Sequence, residues 1–140
     1  MFIVEKKTIN EKMIKDFLII SFTGKNDIIG LRVNNNFFIK KIQINLRNNN
    51  SKFVNNIQRF VSQKGANINE DFSVIVNMGP GSFSGIRISI AIAKAMKIVN
   101  GVRLFGFKDT NLNEFDLKNI ELLIKKNLLE NNLIKPVYMS

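Results

Sequence analysis

The chain has 140 residues, 45% of them apolar, with a formal charge of +10 and an isoelectric point near 10.0. That is one domain's worth of chain, and it is too apolar for a disordered one. It holds neither cysteine nor histidine, which excludes disulfides, thiolate or imidazole zinc sites and a histidine general base.

Residues 1–16, MFIVEKKTINEKMIKD, form a charged N-terminal extension. They lack the apolar core and small-residue cleavage site of a secretory signal. No charge-free apolar run approaches the roughly 20 residues of a membrane span, so the expected location is the cytoplasm, with no membrane partner. The positive charge points toward nucleic acid or an acidic protein. Its Lys-Lys pairs at 6–7, 40–41 and 125–126 are scattered, however, and no stripe of arginines and aromatics accompanies them. Abundant Lys, Asn and Ile also fit a purely compositional bias.

The elements follow in chain order. FLIISFT at 17–23 is a short apolar run before Gly24 and predicts a buried strand; DIIGLRV at 27–33 predicts a second. Three asparagines at 34–36 mark a turn, and FFIKKIQI at 37–44 predicts a third strand, completing an antiparallel meander. A helix follows. Ser51 is placed to cap it, Phe53, Val54, Ile57, Phe60 and Val61 share one face, and Gly65 closes it. FSVIVNM at 72–78 predicts a fourth strand, 83–99 a helix ended by Asn100-Gly101, and VRLFGF at 102–107 a fifth strand. The order β-β-β-α-β-α-β predicts that strands following helices run parallel to their neighbours. A last amphipathic helix is expected at 115–131 from Phe115, Ile120, Leu123, Ile124 and Leu128, then an extended tail around Pro136.

The most informative stretch is 77–96, NMGPGSFSGIRISIAIAKAM. Pro80 fixes its own φ and keeps Gly79 out of the helical region, so the strand must end near Met78. Gly81 adds backbone freedom, and Ser82 or Ser84 can cap the new helix. A helix start of this kind can hold a phosphate. The spacing nevertheless fits neither a Walker loop, nor a dinucleotide fingerprint, nor a nucleophile elbow. At about 100° per residue, Arg87 and Lys94 share a narrow charged sector and most of the circumference is apolar. Gly85, Ser89 and Ala93 make a low ridge, and Ala91 and Ala95 a second low patch. One sheet needs only about 100° of apolar arc, and small residues spaced by four let another helix approach closely. Burial by an element of the same chain and a subunit interface both explain such a helix.

GPGSFSGIRISIAIAKAM resembles the signature of the bacterial TsaB family, whose pattern reads Gly-Pro-Gly-Ser-Phe-Thr-Gly-Leu-Arg-Ile-Gly with a later Ala-Lys-Gly. Gly79, Pro80, Gly81, Ser82, Phe83, Gly85, Arg87, Ile88 and Lys94 match without a gap; Ser84, Ile86, Ser89 and Ala95 replace Thr, Leu, Gly and Gly. FLIIS, RLFGFKDTN and KPVYMS resemble family segments in the same order.

The resemblance implies an α/β fold, a single actin-like (ribonuclease H-like) lobe over 17–110 with a mixed five-stranded sheet. Residues 111–140 would then be a C-terminal helix and tail, a remnant of a largely missing second lobe. It also implies a non-catalytic dimerisation subunit of the machinery that makes threonylcarbamoyladenosine in tRNA. Its partner would be a TsaD-like catalytic subunit, joined in the assembly by a TsaE-like ATPase. Alone, the chain would pair with itself, and it would meet tRNA only indirectly. The partner surface expected from the resemblance is the glycine turn and its helix: Gly79, Pro80, Gly81, Ser82, Phe83, Ser84, Gly85, Ile86, Ile88, Ser89, Ile92, Ala93 and Met96. No cofactor, metal or catalytic residue is expected.

Two departures stand out. The family's first strand ends in Asp-Thr-Ser, where this chain has Ser21, Phe22 and Thr23. Nucleotide-using relatives place a metal- and phosphate-contacting carboxylate there, so its loss argues against ATP chemistry. The other departure is the second lobe, where one helix and a terminal segment stand in place of the family's whole α/β lobe. Two other classes stay open: a basic RNA-binding module, and a glycoprotease-like or actin-like ATP-binding enzyme.

Overall fold

The computed structural model describes residues 14–43 and 50–137, without the side chains of 50–53. Residues 1–13, Ile44, the cap at Ser51, the Phe53 side chain and the last three residues of the tail lie outside that description. Five strands and three α-helices follow in the order β1 (Phe17–Ser21), β2 (Ile28–Val33), β3 (Asn36–Lys41), α1 (Asn50–Gln63), β4 (Ser73–Asn77), α2 (Phe83–Asn100), β5 (Arg103–Phe107) and α3 (Leu117–Lys125). The sheet order is β3-β2-β1-β4-β5. As the short turns required, β1–β2 and β2–β3 are antiparallel. As the intervening helices required, β4 runs parallel to β1, and β5 to β4.

The central strands β1 and β4 are apolar on both faces because both faces are covered, whereas the edge strand β3 has no buried residue. Alternation assigns Leu18, Ile20, Val74, Val76 and Leu104 to one core with Ile57, Val61, Ile86 and Ala93 of α1 and α2. Phe17, Ile19, Ile75, Phe105 and Phe107 point the other way, into a core with Ile120, Leu123 and Ile124 of α3. Every residue of β1 and β4 is buried. Ile14 joins the α3 core, so the last residues of the N-terminal extension already belong to the fold.

The third helix is shorter than the expected 115–131. Asp116 caps it, its carboxylate accepting the Asn119 N–H at 2.8 Å. It stops after Lys125 because Asn127 takes a left-handed conformation, φ 57°. The Leu128 N–H then bonds the Leu123 carbonyl and the Asn127 N–H the Ile124 carbonyl, closing the end. Phe115 and Leu128 still pack against the α3 core from outside the helix. Beyond it the chain turns along the free edge of β5, where Glu130 and Gly106 exchange two backbone bonds of 2.8 Å. It then crosses the end of the sheet, and the Val137 N–H bonds the Met78 carbonyl at 2.8 Å.

Candidate functional site

The glycine turn is built from the strand end outward. Asn77, the last residue of β4, is fully buried. Its amide nitrogen donates to Ser21 Oγ and to Asp109 Oδ1, each at 3.0 Å, and its oxygen accepts the Gly79 N–H at 2.8 Å. One side chain thus ties together the ends of β1 and β4, the segment after β5, and the turn. Gly79 has φ 98°, a region open to glycine and costly for other residues. The Ser82 N–H bonds the Thr23 carbonyl at 2.8 Å, and Ser82 Oγ accepts the Gly85 N–H at 3.2 Å, capping α2 as its position predicted. The Gly79, Ser82 and Gly85 N–H groups thus bond to protein atoms of the segment after β1 and of the turn itself.

Gly85 sets how the helix sits. A Cβ there would lie 2.5 Å from the Phe22 carbonyl oxygen, far inside van der Waals contact. Only glycine lets the first turn of α2 press onto the backbone that follows β1. That approach fixes the rotation of the whole helix about its axis. Gly85, Ile86, Ser89, Ile90, Ile92, Ala93 and Met96 all face inward and are buried. The Ser89 hydroxyl can be buried because it donates to the Ile86 carbonyl at 2.8 Å.

The ridge Gly85–Ser89–Ala93, expected to receive a partner helix, is therefore occupied by the chain's own sheet. With it lie Gly79, Ile86, Ile92 and Met96, all buried. Of the residues expected to meet a partner, Gly81 and Phe83 are exposed, and Pro80, Ser82, Ser84 and Ile88 half-buried. The reason for the correction is phase. Two stripes of small residues run along α2, and packing of Gly85 on Phe22 turns the first one inward.

The second stripe faces out. Ala91 and Ala95 are exposed, flanked by Ile98 at 83% and Val99 at 77% of their full accessibility. Phe83, 59% exposed, stands at the start of the same side, with the Arg87 guanidinium 4.8 Å above its ring. Ala95 and Val99 border a shallow groove of about 90 Å³ where α1 passes beside α2. The sequence reading noted Ala91 and Ala95 as a low patch but not Ile98 and Val99 as surface. The signal was an apolar arc wider than one sheet can cover.

The sheet order and the helices on both faces define an α/β protein of the actin-like, ribonuclease H-like class. Among solved structures the chain is similar to YeaZ from Pseudomonas aeruginosa, with a TM-score of 0.58 and 14% identity over 70% of this chain. It is also similar to a protein described as resembling peptidase YEAZ from Pseudomonas aeruginosa, with a TM-score of 0.58 and 13% identity. The chain spans less than half of each of those structures, 46% and 45%. YeaZ and TsaB name the same family, so the fold is the one that the turn motif implied. No protein-family model and no curated protein matches the sequence. Among the described residues, no helix is long and apolar enough to cross a membrane.

Proposed function

We propose that this chain is a non-catalytic docking subunit of the machinery that makes threonylcarbamoyladenosine in tRNA. In this reading it holds a TsaD-like catalytic subunit on the outward face of α2, in the cytoplasm. In isolation the same face would pair two copies, and a TsaE-like ATPase would join only the larger assembly.

The observation that carries the reading is the two-sidedness of α2. Its inner face is fully used by the chain's own core, yet the outer face still presents Ala91, Ala95, Ile98 and Val99. Large apolar side chains so fully exposed on one helix mark a contact surface. Alanines beside them give a partner helix room to come close. The shallow groove between α1 and α2 at Ala95 has room for a single side chain of such a partner. The turn supports the same reading, since its described donors serve to anchor the helix.

The test is co-elution with a TsaD-like catalytic subunit on size exclusion with light scattering. The natural chain should form a stable complex. Ala91→Arg and Ala95→Arg, both at exposed positions, should keep the natural melting temperature and elute apart from the catalytic subunit. Unchanged co-elution of both variants would overturn the proposal. Probes at Gly85 or Ser89 cannot serve, because a large side chain there strikes the chain's own interior.

A further inference from the structure

A second surface lies on the other flank of α2, apart from the α1 side. The segment after α3 passes along the C-terminal half of α2 and leaves an open groove of about 420 Å³. Leu104 and Ile134, both buried, form its floor. Ile98 and Leu133 stand on its walls, Leu133 70% exposed. Three lysines, Lys94, Lys97 and Lys135, line it, all exposed. Among the described residues no carboxylate lines the groove, and none of the three lysines is in an ion pair.

We propose that this groove binds an acidic segment of a partner protein, one that inserts apolar side chains between Ile98 and Leu133 while its carboxylates meet the lysines. The volume suits two or three aliphatic side chains. The apolar walls call for such anchors, because a purely ionic ligand would leave Ile98 and Leu133 in contact with water. The rim calls for negative charge. Three lysines and no carboxylate line one concave surface, and charge complementarity of that kind selects the partner. Nucleic acid fits less well, because no aromatic side chain lines the groove to stack a base and no arginine offers a forked phosphate contact. The inference goes beyond the docking reading of α2; the two surfaces share Ile98 at their border, but neither Ala91 nor Ala95 lines this groove.

The probe is a fluorescein-labelled synthetic helix with leucines on one face and glutamates on its flanks, read by fluorescence anisotropy against the full chain. It should bind with a dissociation constant in the micromolar range and weaken as salt rises. The double variant Lys97→Glu/Lys135→Glu should weaken it at least about tenfold by removing the rim complementarity. Leu133→Ser should weaken it with the lysines intact. Ala91→Arg should leave it unchanged, which separates this site from the α2 docking face. Three outcomes would overturn the inference. In one, an all-glutamate peptide without leucines binds as tightly. In another, a uridine 12-mer binds better and is lost in the same double variant. In the third, Leu133→Ser and the double variant both bind the leucine–glutamate helix as the natural chain does.

Discussion

The two long faces of α2 have similar composition and opposite fates. Inside, Gly85, Ser89 and Ala93 bring the helix onto β1, β4 and β5. Outside, Ala91 and Ala95 make an equally low surface with nothing of the described chain on it, beside Ile98 and Val99. Small residues at helical spacing thus report that something must come close without saying from which side. The difference is sharpest at Gly85, where a side chain would strike the Phe22 carbonyl, and it is reinforced by Ile86, Ile90, Ile92 and Met96 buried on the same face.

The largest way to break the comparison is at that contact. Gly85→Val should cost about 3 kcal/mol or more, because overpacking against backbone cannot be relieved by a rotamer change. Urea denaturation should show either a much lower midpoint or no folded baseline. An effect below about 1 kcal/mol would mean that the helix can roll to accept the side chain.

Next comes the hub that anchors the turn. Asn77→Ala leaves the Gly79 N–H without its side-chain acceptor and the half-buried Asp109 carboxylate without its Asn77 donor. A loss of about 2–3 kcal/mol should follow. Hydrogen exchange at Gly79 and Ser82 should quicken more than in the β1 core, since the turn loosens before the sheet does.

The outer face should behave in the reverse manner. Ala91→Arg should change stability by no more than about 0.5 kcal/mol, as expected of an exposed helical position. Its effect should appear only in binding, weakening the TsaD-like partner at least about thirtyfold, near 2 kcal/mol. Isothermal calorimetry beside a thermal melt separates the two. The smallest effect belongs to Ser89→Ala, which removes a hydroxyl whose bond stays within its own helix. A cost of less than about 1 kcal/mol is expected, with partner binding intact.

Much of the fold was legible because its signals are local. Apolar β-branched runs, asparagine turns and glycine stops place all five strands and the first two helices within a residue or two for most ends, with β3 ending three residues before its expected limit. The third helix was overextended because Leu128 continues its apolar spacing. Asn127 adopts the left-handed conformation that ends a helix, and an asparagine in a charged run gives little warning of that. Asn77 was missed as a hub for a different reason. Its partners, Ser21 and Asp109, are 56 and 32 residues away, and only the parallel pairing of β1, β4 and β5 brings them together. The lysine groove was invisible for the same reason, since Lys94 and Lys97 meet Lys135 only where the segment after α3 returns along α2.

The amino-acid order by itself determined the element types, the sharp β4–α2 switch, a serine cap at Ser82 or Ser84 and the excess apolar surface of α2. Each depends on neighbours along the chain, through backbone sterics, capping and hydrophobic period. The tertiary structure alone decided which small stripe turns inward, where α3 stops, and which distant polar groups share one hub. Those outcomes depend on through-space contacts, above all the seat of Gly85 on Phe22, and helical periodicity is blind to a rotation of the helix about its own axis.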